Sequence, residues 1–110
     1  MSEWYMSADE ILSKLKAAPE GKQSYYPFQH GTLRAGLYAP KSRDTQEPHD
    51  QDELYVVISG TGSFAKGGET RPFKPGDAIF VEAGAEHAFT DFSPDFATWV
   101  IFWGPKGGEP

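Results

Sequence analysis

The chain is expected to fold as an all-β, single-domain jelly-roll β-barrel with one short N-terminal helix. Three features carry that expectation. Turn signals recur at strand-like intervals from Ser24 onward, twelve glycines and nine prolines are spread along the 110 residues, and a single segment has helical period.

That segment is residues 7–17. Ser7 and Glu10 form a Ser-x-x-Glu capping box, and Ile11, Leu12 and Leu15 make one apolar stripe. Lys14 and Lys16 sit near the negative end of the helix dipole, where cations are favoured. The stripe predicts a helix packed over one end or edge of the barrel. Strand-like runs follow at 25–29 and 32–39, joined at His30-Gly31, then a polar loop at 40–48 and a β-branched run at 54–59 that ends on Gly60. Residues 63–66 and 70–73 face each other across Gly67-Gly68, a hairpin signal. Runs at 78–81, 87–91 and 96–103 complete the set, separated by turns at Lys74-Pro75-Gly76-Asp77, Glu82-Ala83-Gly84-Ala85 and Phe92-Ser93-Pro94-Asp95. The organisation is then a helical extension at 1–23, the barrel at 24–104 and a flexible tail at 105–110.

Composition narrows the function classes. Eight Phe, five Tyr and three Trp supply a core without staples, and the absence of cysteine leaves no disulfide or thiolate chemistry. A net charge of -6 argues against nucleic acid and anionic membrane surfaces as partners. No apolar run reaches the roughly 20 residues that span a bilayer, and the first residues lack a signal-peptide pattern, so a cytoplasmic protein is expected. The run 96–103 is apolar at both parities. One face must enter the core and the other must be covered by the helix or a second subunit, which predicts a homodimer.

The chemistry-bearing residues lie in two segments. One runs from Glu47 through Pro48, His49, Asp50, Gln51, Asp52 and Glu53 to Gly60; the other runs from Gly76 through Glu82 and Gly84 to His87 and Asp91. Two imidazoles and a carboxylate are ligands that iron, manganese, zinc and nickel accept. The segments resemble the two signature motifs of the cupin superfamily, G-x5-H-x-H-x3-4-E-x6-G and G-x5-P-x-G-x2-H-x3-N. His49, Glu53 and Gly60 match the first motif; Gly76, Gly84 and His87 match the second. Lys41 stands where the first motif has its leading glycine, Glu47 where it has its first histidine, Glu82 in place of the proline and Asp91 in place of the asparagine. The resemblance covers about residues 32–103 and is nearest to small single-domain cupins, which are often dimeric and share no one chemistry.

What the resemblance implies is a divalent metal site of His49, Glu53 and His87, with Glu47 as a candidate fourth ligand and Gln51 as the alternative. The competing reading is a pair of hydrogen-bonded histidines in a metal-free polar pocket. Tyr55 and Val57 share strand parity with Glu53, and Phe89 with His87, so all three should wall the site. Arg34, if it points inward, could hold a substrate carboxylate. His30 reads as a turn residue and Asp91 as a surface residue. Three function classes remain: a metal-dependent, oxygenase-like enzyme on a small molecule, a non-catalytic metal- or ligand-binding module, and a structural or regulatory partner with a vestigial site.

Overall fold

The computed structural model describes residues 4–19, 22–44 and 47–110. One helix, α1 (Ala8–Ala17), precedes eight strands: β1 (Ser24–His30), β2 (Leu33–Tyr38), β3 (Asp52–Ser59), β4 (Gly62–Lys66), β5 (Glu69–Phe73), β6 (Ala78–Val81), β7 (His87–Thr90) and β8 (Ala97–Trp103). The helix starts as its capping sequence dictates, with Ser7 Oγ accepting from the Glu10 N–H at 3.3 Å. Ile11 and Leu15 then bury their side chains with Leu37, Ala97 and Trp99, on the outer face of β2 and β8. No helix among the described residues is long and apolar enough to cross a membrane.

The expected closed barrel does not form. The strands make two separate sheets, one of five strands in the order β1-β2-β8-β3-β6 and one of three in the order β5-β4-β7. Closure would require ladders from β6 to β5 and from β1 to β7, and neither is present among the described residues. Two of the edges carry proline: Pro27 lies in β1, where the pairing with β2 shifts register between Tyr25 and Phe28, and Pro72 lies in β5. Proline cannot donate to a ladder, so these strands are suited to edges. Along the open seam between β5 and β6, a side chain does the bridging. Lys66 Nζ pairs with Glu82 Oε1 at 2.7 Å and reaches the Phe80 carbonyl oxygen at 3.5 Å. A groove of about 580 Å³ remains there, walled by Phe64, Phe73, Ile79 and Phe80.

The core lies between the sheets. Phe89 is its hub, with ring centroids 4.8 Å from Tyr55, 4.8 Å from Phe64, 5.5 Å from Phe73 and 4.7 Å from Phe96. Val57, Val81, Val100 and Phe102 complete the packing. Antiparallel register fixes which residues share the inner face. Arg34 on β2 lies beside Phe102 on β8, Phe102 beside Glu53 on β3, and Glu53 beside Val81 on β6. The next inner row is Gly36, Val100, Tyr55 and Ile79.

Gly36 is set by β1. A Cβ there would run into the Tyr25 carbonyl oxygen and lie 2.6 Å from the Tyr26 Cα. Gly60, at φ +84, turns the chain from one sheet to the other, with Phe96 Cα only 2.5 Å from where its Cβ would be. Gly36→Ala is expected to push β1 outward and destabilise the fold by about 1–3 kcal/mol, the usual cost of overpacking. Urea unfolding measures this directly, and an unchanged midpoint would show that β1 is not held against β2 as described.

Candidate functional site

The two motif segments meet at a backbone hydrogen bond, from the Gly84 N–H to the His49 carbonyl oxygen at 2.7 Å. His49 lies just before β3, Glu53 is the second residue of β3 and His87 opens β7. The site is therefore built from both sheets. β3 contributes the carboxylate and Tyr55, and β7 contributes the facing imidazole.

Glu53 is 1% exposed. Neither of its oxygens has a hydrogen-bond partner, and its nearest cationic group is His87 Nε2, 3.3 Å from Oε1. His87 Nδ1 lies 2.9 Å from the Ala85 carbonyl oxygen, which can only accept, so this nitrogen carries a proton. In the neutral ring, Nε2 then keeps its lone pair and accepts from the Tyr55 hydroxyl at 3.0 Å. Burial alone would lower the His87 pKa. Its close contact with Glu53, its bond to the Ala85 carbonyl and the fields of Glu53 and Asp44 outweigh that, and the net shift is upward.

His49 sits with its ring edge-on to Phe102 at 4.7 Å between centroids, and its centroid is 6.3 Å from that of His87. Its Nε2 is buried without a partner. Arg34 points inward from β2, its guanidinium 5.0 Å from the Tyr26 ring centre and 4.7 Å from that of Phe102, with Nε buried and unpartnered. Tyr26 is a member of this group that the sequence did not reveal. Its phenol is raised above the ordinary value by burial and by the Glu53 carboxylate, with Arg34 acting in the opposite sense.

Other candidates stand apart. Glu47 is exposed, on a surface depression of about 440 Å³ shared with Pro48, Lys66, Glu86 and His87. Gln51 spends its amide on the Thr32 and Gly104 carbonyl oxygens, at 3.1 and 3.0 Å, and so ties the start of β2 to the end of β8. Val57 and Phe89 lie in the apolar core behind the site. Two aspartates that drew no attention in the sequence hold the scaffold. Asp44 accepts from the Tyr38 hydroxyl at 2.7 Å and from the Phe89 N–H at 2.9 Å. Asp52 accepts from the Ala83 and Glu109 N–H groups, both at 3.0 Å, and these bonds, that from Glu109 first, hold its carboxyl below the usual range.

The donor chemistry of His49, Glu53 and His87 suits a divalent ion, and three unpartnered buried atoms belong to that set. Their present arrangement is not a formed metal centre. Among the described residues, no group of three or more His, Cys, Asp or Glu side chains is placed to hold one ion. His87 Nε2 is turned to Tyr55 and Glu53, and the centroids of the two imidazoles are 6.3 Å apart.

Known proteins share this architecture. KdgF from Halomonas sp. superposes with a TM-score of 0.67 at 22% identity, over 80% of this chain and 84% of that one. A cupin superfamily protein from Desulfitobacterium hafniense gives 0.67 at 20% identity, over 86% and 89% of the two chains. An uncharacterized protein of Streptomyces coelicolor is 36% identical over 101 residues, 89% of this chain and 93% of its own length. Residues 36–102, from the glycine that seats β1 to the phenylalanine between Arg34 and Glu53, match the Cupin domain family, and the chain belongs to it.

Proposed function

We propose that this cupin-domain protein binds a divalent metal ion through His49, Glu53 and His87, and with it a small molecule seated between the sheets. One observation carries the reading: the Glu53 carboxylate is buried with both oxygens unbonded. An ionised carboxylate removed from water costs several kcal/mol unless a cation and hydrogen bonds compensate. The contact to His87 at 3.3 Å engages one oxygen and leaves the other without a partner. A bound iron, manganese, zinc or nickel ion would supply Lewis-acid polarisation of a ligand oxygen, the basis for metal-dependent, oxygenase-like or related chemistry. The chain's own part is orientation. The Ala85 carbonyl fixes the His87 tautomer so that the Nε2 lone pair faces inward, and Tyr55 gives up its bond to that nitrogen when a ligand takes it.

A second reading, a non-catalytic small-ligand pocket that works without metal, is favoured by the absence of a formed three-residue metal group among the described residues. The two separate in a titration of chelator-treated protein with manganese, iron, zinc and nickel. The metal reading expects one ion per chain and a loss of about 10–100-fold in affinity for Glu53→Gln or His49→Ala. No stoichiometric uptake by the parent protein, or uptake unaffected by both variants, leaves the metal-free pocket.

The metal-free protein also has a pH signature. A folded-state pKa raised above the unfolded value contributes stability that is full below about 6.5 and is lost as pH rises through the folded value. The His87 ring should therefore titrate above 6.5 in an NMR experiment on the metal-free chain, and Glu53→Gln should bring its midpoint down. A His87 midpoint unmoved by that variant would contradict the pairing.

For the partner, we infer a second copy of the chain. The outer face of the five-stranded sheet presents Leu54 flanked by Ile101 and Phe80, with Trp103 packed on Phe80 at 6.2 Å between centroids. Phe80 is 48% exposed, and α1 covers only the opposite end of this face. Sedimentation should give a dimer that Phe80→Glu shifts toward monomer. A monomeric parent protein at micromolar concentration contradicts this.

A further inference from the structure

We propose that Arg34 is the carboxylate-binding residue of the interior site, so that its ligands are small hydroxy- or oxo-carboxylates. The inference rests on the reading above in taking the space between the sheets as the ligand site, and it does not require the metal.

Arg34 is unusual for a strand arginine. Register places it on the inner face beside Phe102, in the same row as Glu53. Its guanidinium lies over the Tyr26 and Phe102 rings, which attract the cation, and the side chain is partly buried. Among the described residues it forms no ion pair, and its Nε is buried without a partner. A guanidinium is charged at every working pH and presents donors in a planar fork. A buried donor without an acceptor is costly to the protein alone, and a ligand carboxylate would satisfy it in bidentate fashion.

Glu53 does not fill that role. It lies two strands away, across Phe102, a separation of roughly 10 Å at the usual strand spacing. Its nearest cationic group is His87 instead. Polar groups of a different kind lie near Phe102 and Glu53: His49, edge-on to the Phe102 ring with its Nε2 unpartnered, and the Tyr55 hydroxyl with His87 Nε2 beside Glu53. These exchange hydrogen bonds with a hydroxyl or carbonyl oxygen. A ligand with a carboxylate at one end and such an oxygen on the adjacent carbon offers an acceptor to Arg34 and a hydrogen-bonding partner to these groups. The Glu53 carboxylate in the same row disfavours a second negative charge near the ligand's middle, which selects a monoanion over a phosphate dianion.

The experiment is calorimetric titration of the intact chain, with and without manganese, using lactate and pyruvate as probes. Lactamide and inorganic phosphate serve as the neutral and dianionic comparators. The variants are Arg34→Met, which keeps an apolar stem against Tyr26 and Phe102, and Arg34→Lys, which keeps the charge without the fork. Thermal melts establish that each variant is folded. The expected result is binding of lactate or pyruvate to the parent, weakened about tenfold or more in Arg34→Met and only partly restored by Arg34→Lys. Lactamide should bind weakly and alike to all three, and manganese uptake should be unchanged by either variant. Carboxylate affinity unchanged in folded Arg34→Met, phosphate bound as tightly as lactate, or no carboxylate binding by the parent would overturn the assignment. Arg34-dependent carboxylate binding in a protein that takes up no manganese would support it while removing the metal reading.

Discussion

A carboxylate buried with neither oxygen hydrogen-bonded is the constraint around which the interior is organised. Glu53 sits on the five-stranded sheet between Phe102 and Val81, where no protein donor hydrogen-bonds to either oxygen. Everything close to it responds to that charge. The His87 pKa is shifted upward, the Tyr26 phenol is pushed up in part by the same field, and Tyr55 turns its hydroxyl to the nitrogen that faces Glu53. A protein does not retain so costly a group for packing alone, since an apolar residue of similar volume would serve the core better. The cost of burying it is one support for the proposed ligand site.

The fold supplies the rigidity that such a site needs. Glu53 and Tyr55 share a face of β3, and His87 comes from the opposite sheet, so the distance between them depends on how the two sheets are held apart. Phe89, two residues after His87, packs on Tyr55, Phe64, Phe73 and Phe96 and sets that spacing. Asp44 fixes the Phe89 backbone, and Asp52 ties β3 to Ala83 and Glu109. The sheets remain unjoined along the β5–β6 seam, where Lys66, at the end of β4, pairs with Glu82, just after β6, beside the groove. A closed ladder there would seal the interior on that side. The open edge leaves Phe64, which packs on the His87 ring at 5.9 Å between centroids, lining the groove as well.

Much of this was written locally in the chain. The capping box gave α1, Gly67-Gly68 gave the β4–β5 hairpin, and parity within 54–59 placed Tyr55 on the same face as Glu53. The adjacency of the segments that carry His49 and His87, joined by the Gly84 N–H to the His49 carbonyl oxygen, followed from the two motif segments rather than from local pattern. What local pattern does not encode is how strands from distant parts of the chain pair, and the expected barrel closure failed on that point. Parity also says nothing of where a side chain goes before the strand begins. Gln51 shares the parity of Glu53, yet it precedes β3 and turns to the carbonyls of Thr32 and Gly104. Tyr26 was hidden for a related reason, because the irregular pairing of β1 between Tyr25 and Phe28 interrupts the alternation that would have pointed it inward. Asp44 and Asp52 read as ordinary polar residues, since the backbone N–H groups of Phe89, Ala83 and Glu109 that they accept from are displayed by no sequence.

The most direct measurement is anomalous diffraction from crystals of the chain grown with manganese. The account predicts a single strong anomalous peak between the sheets, bounded by His49, Glu53 and His87, with the His87 ring released from Tyr55. An interior without such a peak, in which Glu53 still faces His87 alone, would contradict it.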